Sequence, residues 1–416
     1  MTKTNLLALV LVSPLALHAA DWPQYRGVTG DGVSGEILKW KEAGLKPVWK
    51  TPSGGGFSSY TVAGGRLFTL ALREEAGAPQ EFLTVQDAVS GKELWAAALS
   101  VVKFDGGGDD GTPDNKGGDG PRSTPVVLGN RVYVLSSNLA LRAFDVATGN
   151  PVWTVDIKAD HEGQSIRWQN AASPLIEDGL LYVGGGGPGK SLMAVDPASG
   201  KVVWKAFDEK ITHATPVAAT IQGQRQVIFF LQSGLLAVEP KSGKELWRYS
   251  FPFKVSTAAS PVVSGDIVYC SAGYGVGAGA VRIAKAGAGF TATEIYRMPG
   301  NQPLANHWST PVVKDGYLYG MFQFKEYGKG PVKCVDIATG DVKWTKEGFG
   351  PGHVVLMGSE VVALSDAGEI VRFAAEPAAY KELSRQKVLD GKCWTTPTIS
   401  GGRLFVRSTK EAACLE

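Results

Sequence analysis

Cysteine is scarce in this chain. Cys270, Cys334, Cys393 and Cys414 are the only four in 416 residues. No Cys-x-x-Cys spacing and no adjacent pair occurs, which excludes zinc ribbons and dithiol redox motifs. The four are expected to be small buried groups inside strands, with a disulfide between two of them as the alternative. Net charge is scarce as well. Lys and Arg number 42 against 40 Asp and Glu, a formal +2. That excludes the basic surface a nucleic-acid partner requires. Beyond residue 20 no apolar run reaches about 18 residues, so no transmembrane segment is expected there. Residues 1–20 read as a secretory signal peptide. Lys3 supplies the positive start, residues 6–17 a short apolar run, and Ala19-Ala20 a small-residue cleavage site. No Cys stands near that cut, so a lipid anchor is not expected. The polypeptide is expected outside the cytoplasm, periplasmic or extracellular, or peripheral to the outer membrane, and monomeric.

Catalytic motifs are missing too. Gly184 to Gly187, followed by Pro188-Gly189-Lys190, fails the spacing of a phosphate-binding loop and reads as a connection between strands. Asp105, Asp109, Asp110, Asp114 and Asp119 crowd one Gly-rich insertion. Their spacing does not fit an EF-type calcium loop, and a solvated loop over residues 104–120 is expected.

What is abundant is punctuation. Gly 53 and Pro 23 together exceed the usual share of about 12%. They punctuate a repeat. Its clearest copy runs Ser123-Thr124-Pro125, a Gly-Asn turn, Phe144-Asp145, Thr148-Gly149 and Trp153. The Trp recurs at 49, 95, 153, 204, 247 and 344, with gaps of 46, 58, 51, 43 and 97 residues. The last gap is two repeats, with Tyr296 in place of the missing Trp. Another weak copy follows, and a final one ends at Leu415. Each copy reads as four strands, with the Pro segment innermost. Asp-x-x-Ser/Thr-Gly is turn chemistry, since Asp bonds the backbone ahead of it and Gly permits positive φ. Trp49, Trp95, Trp153, Trp204, Trp247 and Trp344 are expected to dock one sheet on the next. Eight Pro-type openings fall near residues 58, 123, 172, 214, 259, 309, 354 and 395. The last copy lacks its outer strand, and a strand over residues 46–50 precedes every opening. The expectation is therefore an all-β, eight-bladed β-propeller of four-stranded antiparallel blades. The early strand closes the ring, and residues 21–416 form one domain.

The Asp-x-x-Ser/Thr-Gly-Lys-x-x-Trp pattern resembles the docking motif of the PQQ-like (pyrroloquinoline quinone) propeller repeat. Asp21 to Gly27, Gly120 to Pro125 and Cys393-Trp394-Thr395 look like exported PQQ-binding-like repeat proteins similar to the outer-membrane assembly factor BamB. The resemblance implies a protein-binding scaffold of the cell envelope. Its partner would be another envelope protein held by rim loops, among them residues 104–121, 158–170 and 323–331. The same ring occurs in quinoprotein alcohol and sugar dehydrogenases, so a PQQ- and calcium-dependent oxidoreductase is the alternative. Those enzymes hold PQQ between a Trp and a vicinal disulfide, and this chain has no adjacent cysteines. A carbohydrate or small-ligand binder is the third reading.

Residues just before the inner strands should ring the central funnel. One residue before the Pro, Ser or Thr recurs in seven of the eight copies and reads as structural. Three residues before it the chemistry varies, with Arg122, His213, Trp308 and Trp394, and with His307 and His353 alongside. These six are the ligand candidates, although packing alone accounts for lone His and Trp at strand starts. No Asp or Glu stands in these columns, so no catalytic set and no metal site is expected.

Overall fold

The computed structural model describes residues 21–40, 44–102, 120–287, 289–322 and 330–416. The signal-peptide reading, the Asp-rich insertion and most of the 323–331 loop lie outside the described residues.

The repeat works through its turn. In the first copy Asp87 accepts from the Ser90 amide (2.7 Å) and hydroxyl (2.6 Å), and the Gly91 amide donates to the Asp87 carbonyl. Gly91 then sits at φ +70°, and the ring of Trp49 lies flat on it. A Cβ there would come within 2.6 Å of the indole. The Trp49 Nε1 donates to the Ala88 carbonyl of the same turn. Trp95 is seated likewise on Gly149, Trp153 on Gly200 and Trp204 on Gly243. Their indole N–H groups donate to Val146, Pro197 and Pro240 carbonyls. Each Trp therefore clamps its blade to the turn of the following one. Trp247 departs from this. The next blade lacks the turn, and its indole donates to Gln226 within its own sheet. Tyr296 meets Gly340 in the place of a Trp. Trp344 packs on Phe373 and Tyr380 and donates to the Glu376 carbonyl.

Described strands form eight sheets. Six are antiparallel sheets of four strands, from Thr61–Ala63, Arg66–Glu75, Ala78–Asp87 and Glu93–Val101 onward, and the seventh adds a fifth strand. The eighth joins Thr398–Ser400, Arg403–Arg407 and Glu411–Leu415 to the early strand Pro47–Pro52. The ring is closed as the repeat count requires. In the outer strand the ladder skips one residue just before the docking aromatic. Pro47 pairs with Leu415 and Trp49 with Cys414, leaving Val48 as a bulge that is 37% exposed. Leu94, Val152 and Val203 are skipped in the same way. The bulge re-aims the Trp and blunts the sheet edge.

Three details differ from the sequence reading. Inner strands begin just after the Ser/Thr-Pro pair, at Val126 and Val262 for example, because Pro has no N–H to start a ladder. The seventh sheet has five strands, since Val33–Ser34 pairs in parallel with His353–Met357. A five-residue helix, Ile157–His161, sits between the second and third blades, capped by Asp156.

The N-terminal segment spans the ring at one end. Trp22 bridges Val62 of the first inner strand, and the Pro23 carbonyl accepts from Val127 of the second. Gln24 accepts from the Ile176 amide of the third. Arg26, 1% exposed, donates to the Thr310 and Pro311 carbonyls leading into the sixth. The Gly32 carbonyl accepts from Leu356 of the seventh. Contacts with so many blades require the segment to cross the axis and stop the channel. Among the described residues no helix is long and apolar enough to cross a membrane.

Candidate functional site

Hydroxyls build the funnel wall. The amide of Thr396 donates to Ser59 Oγ, that of Ser59 to Thr124 Oγ1, that of Thr124 to Ser173 Oγ, and that of Ser173 to Thr215 Oγ1, all at 2.9–3.0 Å. Ser260 and Thr310 make the same link. The Ser/Thr column thus ties neighbouring blades, as its repetition suggested. Between the fourth and fifth blades the His213 amide donates to Ser256 Oγ instead.

Above this wall lies a cavity of about 620 Å³, and all six candidates line it: Arg122, His213, His307, Trp308, His353 and Trp394. Their rings form a belt. Phe57 lies 4.9 Å from Trp394, Trp394 4.6 Å from Trp308, and Trp308 5.2 Å from His307. His307 is 4.9 Å from Tyr274, which stacks on Trp168 at 6.0 Å and 12°. Trp168 lies 6.3 Å from His213. Arg122 completes the circuit, 5.8 Å from the Phe57 ring and donating to the Trp168 carbonyl at 3.1 Å. Tyr25 of the crossing segment also lines the cavity.

Trp168, Tyr274, Arg167 and Tyr25 were not singled out from the sequence. None belongs to the repeating column. Trp168 and Arg167 lie on the connection between the second and third blades, within the rim loop proposed at residues 158–170. Tyr274 lies on a hairpin of the fifth blade. Three of the mouth residues hold backbone angles that non-glycine residues rarely adopt. Trp168 has φ +67°, Gln169 φ +65° and Tyr274 φ +58°. The strained pair is pinned from below. His213 Nε2 meets the Gln169 carbonyl at 2.7 Å, so that nitrogen carries the proton.

Arg122 and Arg167 line the cavity, and among the described residues no lining residue is Asp or Glu. Burial, and then the charge of Arg122, pushes His213 down to about 3, so it is neutral. Burial and Arg26 do the same to His353, also about 3. Burial lowers Lys392 to about 7, and its Nζ lies 4.4 Å from the Trp394 ring centre. Glu81, fully buried, accepts from the Ser137 amide and hydroxyl. Burial raises its pKa, against the hydrogen bonds from Ser137 and then the charge of Arg122.

A calcium–quinone site needs carboxylate oxygens for the metal. Among the described residues the lining supplies none. Among the described residues no group of three or more His, Cys, Asp or Glu is placed to hold a metal ion. The four cysteines are buried thiols, none in a disulfide. The described residues of the lining do not fit that group.

Residues 79–321 and 328–414 match the family model described as outer membrane protein assembly factor BamB. The chain belongs to this family. A relative in it, the outer membrane protein assembly factor BamB of Bordetella pertussis (strain Tohama I), is 26% identical over 189 residues. That match takes in 40% of this chain and 44% of the relative, less than half the relative's length. Among solved structures, BamB from Moraxella catarrhalis superposes with TM-score 0.60 at 14% identity, covering 89% of this chain and 99% of that one. The quinohemoprotein alcohol dehydrogenase of Comamonas testosteroni gives 0.66 at 12% identity, covering 95% and 80%. At such identities the likeness is one of fold. BamB-family propellers and quinoprotein dehydrogenases share the ring, and the ring alone separates no function between them.

Proposed function

We propose that this protein is a binding scaffold of the cell envelope that receives another envelope protein at the open mouth of its funnel. One observation carries the reading. Arg167, Trp168 and Tyr274 come together at that mouth, Trp168 and Tyr274 on strained backbone, with Arg167 4.7 Å from the Trp168 ring and Tyr274 39% exposed. Arg, Trp and Tyr held rigidly at a surface are the residue types on which binding energy concentrates. Strain kept at such a place is a cost the rest of the fold bears. Membership in a family described as an outer membrane assembly factor supports an envelope location, in the periplasm at the outer membrane.

The test is co-purification of the intact protein from gently solubilised envelopes, followed by identification of what elutes. A β-barrel assembly component is expected, and Trp168→Ala with Tyr274→Ala should abolish its recovery while leaving the melting temperature near the parent's. Recovery that is equal for parent and variant would refute the mouth as the docking place. A quinone-dependent oxidoreductase is the competing reading. Turnover of an alcohol or sugar after addition of PQQ and Ca²⁺, with no partner recovered, would replace the scaffold by the enzyme.

A further inference from the structure

One sheet edge of the ring is left unguarded. Each blade ends in an outer strand whose far side has no strand beside it among the described residues. Such an edge offers backbone N–H and C=O groups to any extended chain, and folds guard it with charge, proline or a bulge. Seven of the eight outer strands carry an exposed charged side chain past their third residue. In four of them a cation stands directly after the docking aromatic, as Lys50, Lys205, Arg248 and Arg297. The outer strand of the first blade, Glu93–Val101, is the exception, with Ala96 in the place of the cation. Its one charged residue is Glu93, at the start, and Arg73 of the same sheet donates to it at 3.2 Å. From there on the exposed side chains are Leu94, Ala96, Ala98 and Val101, and the strand holds no Pro. It is nine residues long, where six of its seven counterparts have five or six. Bulges at Leu94 and Leu99 leave a regular ladder over residues 95–98. Alternate residues there aim N–H and C=O outward.

The occupant follows from what this edge can pair. A row of main-chain groups is matched by another extended main chain. The ring already takes up strands in this way. Pro47–Pro52 completes the eighth blade from the far end of the sequence, and Val33–Ser34 adds to the seventh. A charged partner strand would be desolvated against an edge that brings no counter-charge, so the matching segment is uncharged. Ala96 and Ala98 leave room for large β-branched or aromatic side chains on the partner's side. A second copy of this strand would set Ala against Ala, the pairing that gains least. Val89 and Leu94 at one end and Val101 at the other, 60, 48 and 62% exposed, carry the apolar surface past both ends of the regular ladder.

We propose that the Glu93–Val101 edge binds an extended, uncharged segment of another protein as a fifth strand of the first blade. This surface is separate from the mouth of the funnel and does not depend on docking there.

Amide hydrogen exchange of the full-length protein, with and without peptide, tests it. The probes are acetyl-Thr-Val-Thr-Val-Thr-Val-Thr-amide and its counterpart with Lys at each Val. The Val peptide, at up to about 1 mM, should slow exchange at residues 94–101 and nowhere else. The Lys peptide should bind about ten-fold more weakly or worse. Ala96→Lys installs the cation that the sister blades carry at this register, so the melting temperature should stay near the parent's while the protection vanishes. Protection at other residues only, no protection at about 1 mM peptide, or equal protection in Ala96→Lys overturns the proposal. Sedimentation of the protein alone supplies a further arm. A dimer that Ala96→Lys dissociates would make the occupant a second copy and overturn it as well. Protection that survives in Trp168→Ala with Tyr274→Ala supports a separate surface, and its loss there would assign the peptide to the mouth and overturn this edge. Failure of the edge leaves recovery of an envelope partner at the mouth untouched, so the two readings fail separately.

Discussion

His213 shows how one side chain can look like a ligand and act as a brace. It faces the cavity, yet its Nε2–H is committed to the Gln169 carbonyl. Its folded pKa, about 3, lies well below the ordinary value near 6.5. The unfolded chain therefore binds one more proton than the fold between pH 6.5 and 3. Stability from this group is fully present above pH 6.5 and is lost as pH falls through that window. The slope cannot exceed about 1.4 kcal/mol per pH unit for one such group. Thermal unfolding of His213→Gln across that range should show a shallower decline in melting temperature than the parent. An identical decline would mean that His213 is not buried neutral. The position of His213 in a chemically varied column was legible from sequence; its bond to Gln169 was not. That bond depends on the path of a connection whose turn is made by Trp168 and Gln169 rather than by glycine.

At the scale of elements, the repeat is an instruction for docking rather than for sheet formation. A bulge turns the Trp outward from its own ladder, the Asp–Ser/Thr turn holds a glycine at positive φ, and the indole covers it while bonding the turn's carbonyl. Trp153 does all of this between the second and third blades. Trp153→Ala removes the ring and leaves the Pro197 carbonyl without its donor. Destabilisation by about 3–5 kcal/mol is expected, read as a shift in the denaturation midpoint at unchanged slope. A shift within error would reject the docking role. This chemistry is local, which is why strand number, blade order and the closing strand could be read from residue spacing. The seventh blade's parallel strand could not, because Val33 and Leu356 carry no shared pattern. Nor could Trp247's switch to Gln226, which follows from the next blade lacking a turn.

For the molecule as a whole, the crossing segment turns a ring with a hole into a cup. Arg26 is central to it. Its guanidinium is buried, and its two terminal nitrogens donate to the carbonyls of Thr310, Pro311 and Asp31. Burial lowers its pKa for the same reason. Arg26→Met should cost about 3 kcal/mol, because the carbonyls lose their donor in a dry place. It should also loosen the stopper, raising hydrogen exchange at Val127 and Leu356, whose amides bond the segment. Unchanged exchange at both would show that the segment is held by Trp22 and Gln24 alone.

Closure has a consequence for when the protein can become itself. Pro47 pairs with Leu415, 368 residues further along the chain. Every blade but the last can form its own ladders as it is synthesised. The ring cannot shut until its final strand has emerged. A chain threaded through a membrane as an extended polymer would thus arrive with its first outer strand waiting for its last three. Assembly would finish on the far side, in one late step that commits the whole circle.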